Sequence, residues 1–279
     1  MGTVSNSSVR ESSPLGLIAG SKSVPVLFAR EARKSGRRIV AVAFDGETDP
    51  ALAGLVDEIV WLRVGQLSKL IQTFTDRSVV QCVMLGQIAP KNLFDVRPDL
   101  RAMGLLLRLK EKNAQTVFGG IADELKRDGV ELIEATPWLQ PWMPGPEFKS
   151  GPRLSDEQQA DIAYGLKIAK EIARLDIGQS VVVKRGTTLA VEGFEGTDAC
   201  LARGGQLAGK AGGAVAVKVA KLGHDMRFDV PCIGPRTLDV CADSGIRVLA
   251  FESGRTLLLE LETLAEQSKR CGVSLVAAC

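Results

Sequence analysis

The stretch LGLIAGSKSVPVLFAREARKSGRRIVAVAF, residues 15–44, predicts a strand, a helix and a second strand in succession. Residues 15–20 are a short apolar run that ends in glycine, and residues 24–36 place apolar side chains at helical spacing before Gly36. Residues 37–44 form a nearly continuous apolar run, which is typical of strands buried on both faces of a parallel sheet. Two strands joined by a helix indicate a βαβ unit with a right-handed crossover.

Alternating strands and helices continue beyond this unit. Strands are predicted at residues 58–64 and 81–88, a helix at 65–77, and a last helix–strand pair at 121–135. Strands separated by helices imply parallel pairing. Residues 14–136 are therefore predicted to form a Rossmann-like domain with a parallel sheet.

A proline-rich linker at residues 137–153 leads into a second predicted domain, residues 154–279. Ser155 and Gln158 form the capping-box pattern that begins a helix. The sequence KRGTT, which starts at Lys184, is typical of a hairpin turn and predicts antiparallel strands. The predicted fold class is α/β: an N-terminal Rossmann-like parallel-sheet domain plus a C-terminal α/β domain with a mixed sheet.

The composition is that of an ordinary globular protein, with 279 residues, 45% of them hydrophobic and 24% charged, and a formal net charge of +2. This charge balance argues against a nucleic-acid binder. Six scattered cysteines without a C-x-x-C pair, and a single histidine, favour free thiols over disulfides or a zinc site. The first residues lack the apolar core of a secretory signal and no apolar run is long enough to span a bilayer, so we expect a cytoplasmic protein.

Two glycine-containing segments are candidates for phosphate binding. The loop at residues 19–23, AGSKS, lies where a strand meets a helix N-terminus, so Gly20 and Ser21 are candidate ligand contacts; a plain connecting loop is the alternative. It lacks the G-x-G-x-x-G pattern, which counts against a nicotinamide-dependent oxidoreductase. Residues 204–211, GGQLAGKA, resemble a P-loop but lack the hydroxyl that follows its lysine and come after a predicted helix, so we reject an NTPase site.

The segment AVEGFEGTDA, residues 190–199, places acidic side chains where a strand gives way to a helix. The acids are Glu192, Glu195 and Asp198, and the helix is predicted from about Thr197. Carboxylates near a helix N-terminus can place a hard cation against phosphate oxygens. The alternative is a simple N-cap by Thr197 or Asp198 with solvated glutamates.

A further candidate segment is RLDIGQS, residues 174–180, at the end of the helix that begins with the capping box. Gly178 has the position of a C′ glycine, and Gln179 is a candidate for recognising a base or a sugar.

Residues 217–234, VKVAKLGHDMRFDVPCIG, combine cations and acids with backbone-restricting proline and glycine. The cations are Lys218, Lys221 and Arg227, the acids are Asp225 and Asp229, and His224 is the only histidine. Cations beside an acid in a rigid loop suit phosphoryl chemistry, in which an acid binds a metal or takes a proton from water. The alternative is a polar connection with surface ion pairs.

These segments, in this order, resemble the UDP-2,3-diacylglucosamine pyrophosphatases of the LpxI type. The resemblance rests on LGLIAG, RLDIGQSVVV, LAVEGFEGTDA and DMRFDVPCIGP and covers nearly the whole chain. It implies hydrolysis of the pyrophosphate of UDP-2,3-diacylglucosamine to UMP and 2,3-diacylglucosamine 1-phosphate in lipid A biosynthesis, with Mg²⁺ as cofactor and attack on the sugar-side phosphorus. The essential aspartate of the family's Arg–apolar–Asp–apolar–Pro motif falls on Asp229.

The resemblance and the motifs together give a set of expected site residues. Asp229 is the expected catalytic residue, with Glu195, Asp198 and Asp229 as expected metal ligands. Expected substrate contacts are Gly20, Ser21, Gln179, Gly196, Thr197, Lys218 and Arg227. The resemblance further implies a homodimer that meets its lipid-linked substrate transiently at the inner membrane. A sugar-nucleotide sensor that binds without chemistry is the alternative. The acyl chains need an apolar slot, for which Trp138, Trp142 and Phe148 in the linker are a hypothetical wall.

Overall fold

The computed structural model describes residues 13–88, 98–111, 114–220, 225–227 and 230–279. By its contacts the described chain divides into two compact units. The first contains residues up to Leu139 together with residues 225–227, and the second contains Gln140 onward apart from that short segment.

The first unit is a five-stranded parallel sheet flanked by helices. Its strands are β1 (Leu15–Ala19), β2 (Ile39–Phe44), β3 (Glu58–Leu62), β4 (Gln81–Leu85) and β5 (Glu131–Leu132), in the spatial order β3-β2-β1-β4-β5. Its helices are α1 (Val24–Lys34), α2 (Leu67–Thr75), α3 (Leu100–Arg108), α4 (Ala114–Arg127) and the single-turn α5 (Thr136–Leu139), with a 3₁₀ helix at Pro50–Gly54. The predicted Rossmann-like parallel sheet is confirmed. Helix α3 was not predicted.

The carboxyl ends of β1 and β4, where the strand order reverses, are joined by a close backbone contact. Ser21 N–H donates to the Gln87 carbonyl at 2.7 Å, and Gln87 N–H returns a bond of 3.3 Å to the Ser21 carbonyl. A Cβ added at Gly20 would lie 2.6 Å from the Gln87 carbonyl oxygen, and one at Gly86 would lie 2.6 Å from the Ser21 carbonyl oxygen. Glycine is required at both positions because the two chains pass too closely for a side chain.

The second unit contains a six-stranded mixed sheet, as predicted. Its strands are β6 (Lys149–Ser150), β7 (Ser180–Lys184), β8 (Thr187–Val191), β9 (Ala214–Lys218), β11 (Ile246–Glu252) and β13 (Ser274–Ala278), in the order β6-β13-β11-β9-β7-β8. Strands β9, β11 and β13 are parallel, and the other neighbours are antiparallel. Strands β10 (Cys232–Ile233) and β12 (Leu257–Leu258) form a separate parallel pair.

Helices cover both faces of this sheet. They are α6 (Asp156–Arg174), α7 (Thr197–Leu207), α8 (Pro235–Asp243) and α9 (Leu261–Cys271), with a 3₁₀ helix at Gln140–Trp142. Side chains alternate along β7, so Val181 and Val183 pack in the cluster that contains Ala169 of α6, and Val182 packs in the cluster that contains Leu201 of α7. This alternation explains why the strand reads as a continuous apolar run.

The local signals that predicted this unit are confirmed. Ser155 Oγ accepts from Gln158 N–H at 3.2 Å, and Gln158 Oε1 accepts from Ser155 N–H at 2.9 Å, which completes the capping box of α6. Arg185 and Gly186 have φ of 49° and 67° in the hairpin turn between β7 and β8. The Asp161 carboxylate of α6 accepts hydrogen bonds of 2.8 Å from both of their N–H groups, which fixes the turn.

The six cysteines are free thiols, and burial raises the pKa of Cys200 to about 12. Across the described ranges, no helix combines the length and the apolar character that a membrane crossing requires.

Candidate functional site

A buried polar cluster in the second unit is centred on the hydroxyl of Thr197. Lys218 Nζ donates to Thr197 Oγ1 at 3.1 Å, and Thr197 Oγ1 donates to Glu192 Oε1 at 2.9 Å. Ser180 Oγ lies 3.4 Å from the same oxygen. A hydroxyl has one proton and two lone pairs, so Thr197 gives its proton to Glu192 and accepts from Lys218 and Ser180.

The elements of the fold bring these residues together at one edge of the mixed sheet. Lys218 is the last residue of β9, Glu192 follows β8, and Ser180 begins β7, which runs antiparallel to both. Thr197 is the first residue of α7, and Gly196, with φ of 84°, is the N-cap. The alternative of a cap by Thr197 or Asp198 is therefore wrong, since neither side chain caps the helix.

The two charged side chains of this cluster are buried. Glu192 and Lys218 are only 6% and 7% exposed. A buried charge is costly unless hydrogen bonds or an opposite charge compensate for it. The carboxylate of Glu192 accepts from Thr197 and also from Gln179 N–H at 3.3 Å. The ammonium of Lys218 and the N-terminus of α7 both contribute positive potential, which suits a phosphate group, and the carboxylate of Glu192 offsets part of it.

Gly178 holds the segment before β7 against the strand that ends at Glu192. A Cβ at Gly178 would lie 2.1 Å from the Glu192 carbonyl oxygen, which no side chain can tolerate. The prediction that Gly178 is the C′ glycine of α6 is wrong, because the left-handed residue after that helix is Asp176, with φ of 57°. Gly178 is needed for close approach and not for helix termination.

Gln179 presents an unused acceptor. Its Oε1 is buried and has no hydrogen-bond partner, although its backbone N–H is bound to Glu192. Buried acceptors without a partner are rare and usually mark a site that a ligand or water satisfies. A substrate contact through Gln179 stays a prediction.

Glu195 and Asp198, the two expected metal ligands in the described chain, are each engaged by an arginine. Arg203 Nη2 donates to Glu195 Oε1 at 2.6 Å, and Gly193 N–H donates to Glu195 Oε2 at 3.0 Å. The hydrogen bond from Arg203, with help from backbone N–H groups, lowers the pKa of the Glu195 carboxyl. Asp198 Oδ2 lies 3.2 Å from Nε of Arg236, whose side chain is 84% exposed.

The fit of these acids to a divalent cation is partial. Within the described part of the chain, no three His, Cys, Asp or Glu side chains converge in a way that would hold a metal ion. Magnesium, however, is usually held by one or two carboxylates together with substrate phosphates and water. Of the two described acids, Asp198 has the weaker competing interaction, an exposed ion pair with Arg236.

Arg227 groups with the first unit and is fixed by a neighbouring acid. Its Nε and Nη2 donate to the two oxygens of Asp225 at 2.8 and 2.5 Å, a bidentate pair. This hydrogen bonding raises the pKa of Arg227, and the charges of Asp123 and Glu134 add to the effect.

Several residues of the same segment lie outside the described residues. They are Asp229, the expected catalytic residue, with Lys221 and His224.

Gly20 and Ser21 lie in the first unit, directly after the carboxyl end of β1. Ser21 Oγ donates to the Gln87 carbonyl oxygen at 2.7 Å, so its hydroxyl proton and its N–H are both used within the domain. Lys22 adopts a φ of 75°, which is strained for a residue with a side chain.

Two of the linker aromatics, Trp138 and Phe148, each pack against a phenylalanine of their own unit. Trp138 packs edge-on against Phe28 with ring centroids 5.5 Å apart and donates to Ser35 Oγ at 3.2 Å. Phe148 packs against Phe251 in the core of the second unit. Trp138 and Phe148 are thus occupied in different units.

The P-loop-like segment, residues 204–211, begins inside α7 and continues past the end of that helix at Leu207. Gly204 and Gly205 lie within α7, and a Cβ at Gly204 would lie 2.5 Å from Val182 on β7. These glycines allow the helix to pack closely on the sheet.

Sequence reasoning missed Ser180 and did not select Glu192. Glu192 had been considered as one of three acids but was expected to be solvated in the alternative interpretation. The available signal was its position directly after the apolar strand β8, where a polar side chain faces the sheet edge. Ser180 carries no such signal, because a serine at a strand start is ordinary.

The fold defines an α/β protein of two units, the second of which carries a polar cluster beside the N-terminus of a helix. Family models described as LpxI N-terminal domain and LpxI C-terminal domain match residues 14–142 and 148–276. UDP-2,3-diacylglucosamine pyrophosphatase LpxI of Caulobacter vibrioides is 30% identical over 269 residues, which cover 93% of this chain and 95% of that protein. The chain belongs to the LpxI family, which confirms the resemblance seen in its motifs.

Likenesses to solved structures are weaker. The biotin carboxylase subunit of pyruvate carboxylase is 14% identical with a TM-score of 0.28, and the match covers 65% of this chain and 36% of that one. The biotin carboxylase domain of a thermophilic 2-oxoglutarate carboxylase gives 14% identity, a TM-score of 0.25 and the same coverage. Likenesses at this level define neither a fold nor a function.

Proposed function

We propose that this protein hydrolyses the pyrophosphate bond of UDP-2,3-diacylglucosamine, giving UMP and 2,3-diacylglucosamine 1-phosphate, in lipid A biosynthesis. The observation that carries the proposal is the match over nearly the full length of both chains to a relative named as that pyrophosphatase. One water is consumed: its oxygen forms a bond to the sugar-side phosphorus as the bond from that phosphorus to the bridging oxygen breaks. UMP leaves with the bridging oxygen.

The Thr197 cluster supplies the part of this chemistry that the described residues can perform. Pyrophosphate hydrolysis requires neutralisation of charge on the phosphate oxygens and fixed positions for the reacting groups. Lys218 contributes a buried positive charge, and the N-terminus of α7 contributes free N–H groups beside Thr197. Gln179 Oε1 is the acceptor that recognises a donor group of the nucleotide.

Asp229 is proposed as the acid that either takes the proton from the attacking water or binds the metal. The support is its position in the motif RFDVP, residues 227–231. Arg227 of the same motif is proposed as a substrate contact. Its bidentate pair with Asp225 fixes the position of the guanidinium group.

Mg²⁺ is proposed as the cofactor, with Asp198, Glu195 and Asp229 as its candidate ligands. When bound, it would neutralise negative charge on the pyrophosphate oxygens. Of the described candidates, Asp198 is the better supported, because its arginine partner is exposed. Glu195 would have to leave two hydrogen bonds in order to bind a metal.

Two experiments test the reaction. The purified protein is incubated with UDP-2,3-diacylglucosamine and Mg²⁺, with and without EDTA, and released UMP is measured. Release that stops on adding EDTA and returns with excess Mg²⁺ supports the metal proposal, and release that EDTA leaves unchanged contradicts it. In H₂¹⁸O the label is expected in 2,3-diacylglucosamine 1-phosphate, and label in UMP would contradict attack on the sugar side.

The assembly and location are proposed from the family resemblance. We propose a cytoplasmic homodimer that contacts the inner membrane transiently when it collects its substrate. Analytical ultracentrifugation tests the dimer, and fractionation of cells by sedimentation tests the location. Binding of the lipid nucleotide without any UMP release would instead favour a sensor.

A further inference from the structure

The first unit contains a cavity of about 450 Å³ that has no residue of the Thr197 cluster in its lining. It lies at the carboxyl ends of β1, β2 and β4 and is walled by the helices α2, α3 and α4. Its lining includes Ile18, Phe44 and Met84 from the strands and Leu70, Leu106 and Phe118 from the helices. Strand ends at the reversal of strand order are the usual ligand position in open α/β sheets.

The chemistry of the described lining does not favour a phosphate or a nucleotide as the occupant. Among its described lining residues there is no charged side chain, and Gln66 contributes the one side chain with a polar amide. The Gln66 side-chain oxygen already accepts from Arg63 N–H at 2.9 Å, and Gly20 N–H is bound to the Leu85 carbonyl oxygen at 2.8 Å. A charged ligand would lose its hydration here without compensation.

The size of the cavity is evidence for an apolar ligand. Protein interiors are close-packed, and empty space costs the lining atoms their packing contacts. A volume of 450 Å³ is far more than a packing defect and falls within the range of about 300–1,000 Å³ found for small-molecule sites. The lining therefore has the size and polarity of a site that an apolar group fills.

We propose that this cavity binds one fatty acyl chain of UDP-2,3-diacylglucosamine, an inference that rests on the proposed function. An acyl chain has no charge and, beyond its carbonyl, no hydrogen-bonding group, so it matches a described lining that is largely apolar and carries no charge. The apolar slot thus belongs to the N-terminal domain and is formed by α2, α3 and α4, whereas the linker residues Trp138 and Phe148 pack elsewhere.

Helix α3 supplies a matched pair of variants. Leu106 lines the cavity, whereas its neighbour Leu107 is 78% exposed and does not. Leu106→Trp should fill part of the cavity, and Leu107→Trp places the same side chain in solvent. Ala102→Phe, also on the cavity side of α3, is a second filling variant in case the first is unstable. Thermal unfolding of each variant establishes that it is folded.

The first experiment measures kcat/KM for UMP release with substrates of short, medium and long acyl chains. In the wild type and in Leu107→Trp, each added methylene should raise kcat/KM by about fourfold until the cavity is full. Leu106→Trp should flatten this dependence, because the cavity then has less room for a longer chain. An unchanged dependence on chain length in both folded filling variants would overturn the proposal and leave the proposed function intact.

The second experiment does not depend on turnover. The probe is UDP-2,3-diacylglucosamine with a diazirine in the middle of each acyl chain, photolysed on the wild-type protein and mapped by mass spectrometry. We expect cross-links in residues 64–70 or 98–121, and cross-links confined to the second unit would overturn the inference. Cross-links in these segments without UMP release would support the acyl site and contradict the hydrolase. Neither cross-links nor UMP would contradict both.

Discussion

Lys218 Nζ donates a 3.1 Å hydrogen bond to Thr197 Oγ1, and this contact joins the end of β9 to the first residue of α7. Through the same oxygen, the buried carboxylate of Glu192 is held 2.9 Å from the hydroxyl. One hydroxyl thus orients an acid and an amine that are both removed from solvent. The account of the site depends on this arrangement, and it can be tested at each residue.

Thr197→Val keeps the shape of the side chain and removes the hydroxyl. Glu192 loses a donor and Lys218 loses an acceptor, and a hydrogen bond to a charged group contributes about 1.5–3 kcal/mol. We expect kcat/KM for UMP release to fall roughly ten- to hundredfold. Thr188→Val on β8, which removes a hydroxyl 3.2 Å from Tyr164 Oη, is the control and should leave kcat/KM within about twofold, as expected of a half-buried site away from the cluster. Equal activity of the two variants would contradict a role for Thr197.

Lys218→Met removes the buried ammonium and keeps the aliphatic stem. We expect weaker binding of UMP and of the substrate, because the phosphate loses its nearest buried cation. Lys184→Met on β7 is a matched control, since Lys184 Nζ is bound to the Ala208 carbonyl oxygen on the same sheet. Isothermal titration calorimetry with UMP measures the difference. If both variants bind UMP as the wild type does, Lys218 is not a phosphate contact.

Gly178→Ala should destabilise the fold and disturb Glu192. The added Cβ would lie 2.1 Å from the Glu192 carbonyl oxygen, so the strand end must move. We expect the free energy of unfolding to fall by about 1–3 kcal/mol, measured by urea denaturation. Gly145→Ala, where a Cβ would meet no atom within 4 Å, should change the free energy of unfolding by less than about 0.5 kcal/mol. A neutral Gly178→Ala variant would show that this close approach is not needed.

The carboxyl of Glu195 should titrate below the usual glutamate pKa of about 4.3. Its pKa is lowered in the folded protein by Arg203, so the pair stabilises the fold above the unfolded pKa and this contribution is lost as pH falls through the folded pKa. NMR titration of the side-chain carboxyl should show the midpoint rising in Arg203→Ala. Arg236→Ala, which removes the partner of Asp198 instead, should leave the midpoint unchanged. No difference between the two variants would remove Arg203 as the cause.

The sequence was sufficient for the features that depend on local patterns. Continuous apolar runs predicted β1, β2 and β4, and the capping pair Ser155 and Gln158 predicted the start of α6, because each signal lies within a few residues. Helix α3 was missed because its apolar residues do not mark a single buried face: Leu105 is buried, while Leu100 is 86% exposed. Where some exposed positions are also apolar, the sequence alone does not show which apolar residues pack against the domain.

The sequence indicated some residues of the site but not the contacts between them. Thr197 and Lys218 were selected from their motifs, yet they are 21 positions apart and their hydrogen bond depends on the pairing of β7 with β9. The burial of Glu192 and the close approach at Gly178 follow from the same sheet packing. Such long-range contacts leave no periodic pattern in the sequence.

The most direct test of the central claim is UMP release from UDP-2,3-diacylglucosamine by the wild type and by Asp229→Ala, assayed side by side with Mg²⁺. The account predicts UMP and 2,3-diacylglucosamine 1-phosphate in equal amounts from the wild type, and a rate lower by roughly a hundred- to ten-thousandfold in the variant. No UMP from the folded wild-type protein would contradict the proposed hydrolysis. Equal rates from the two proteins would contradict the role of Asp229.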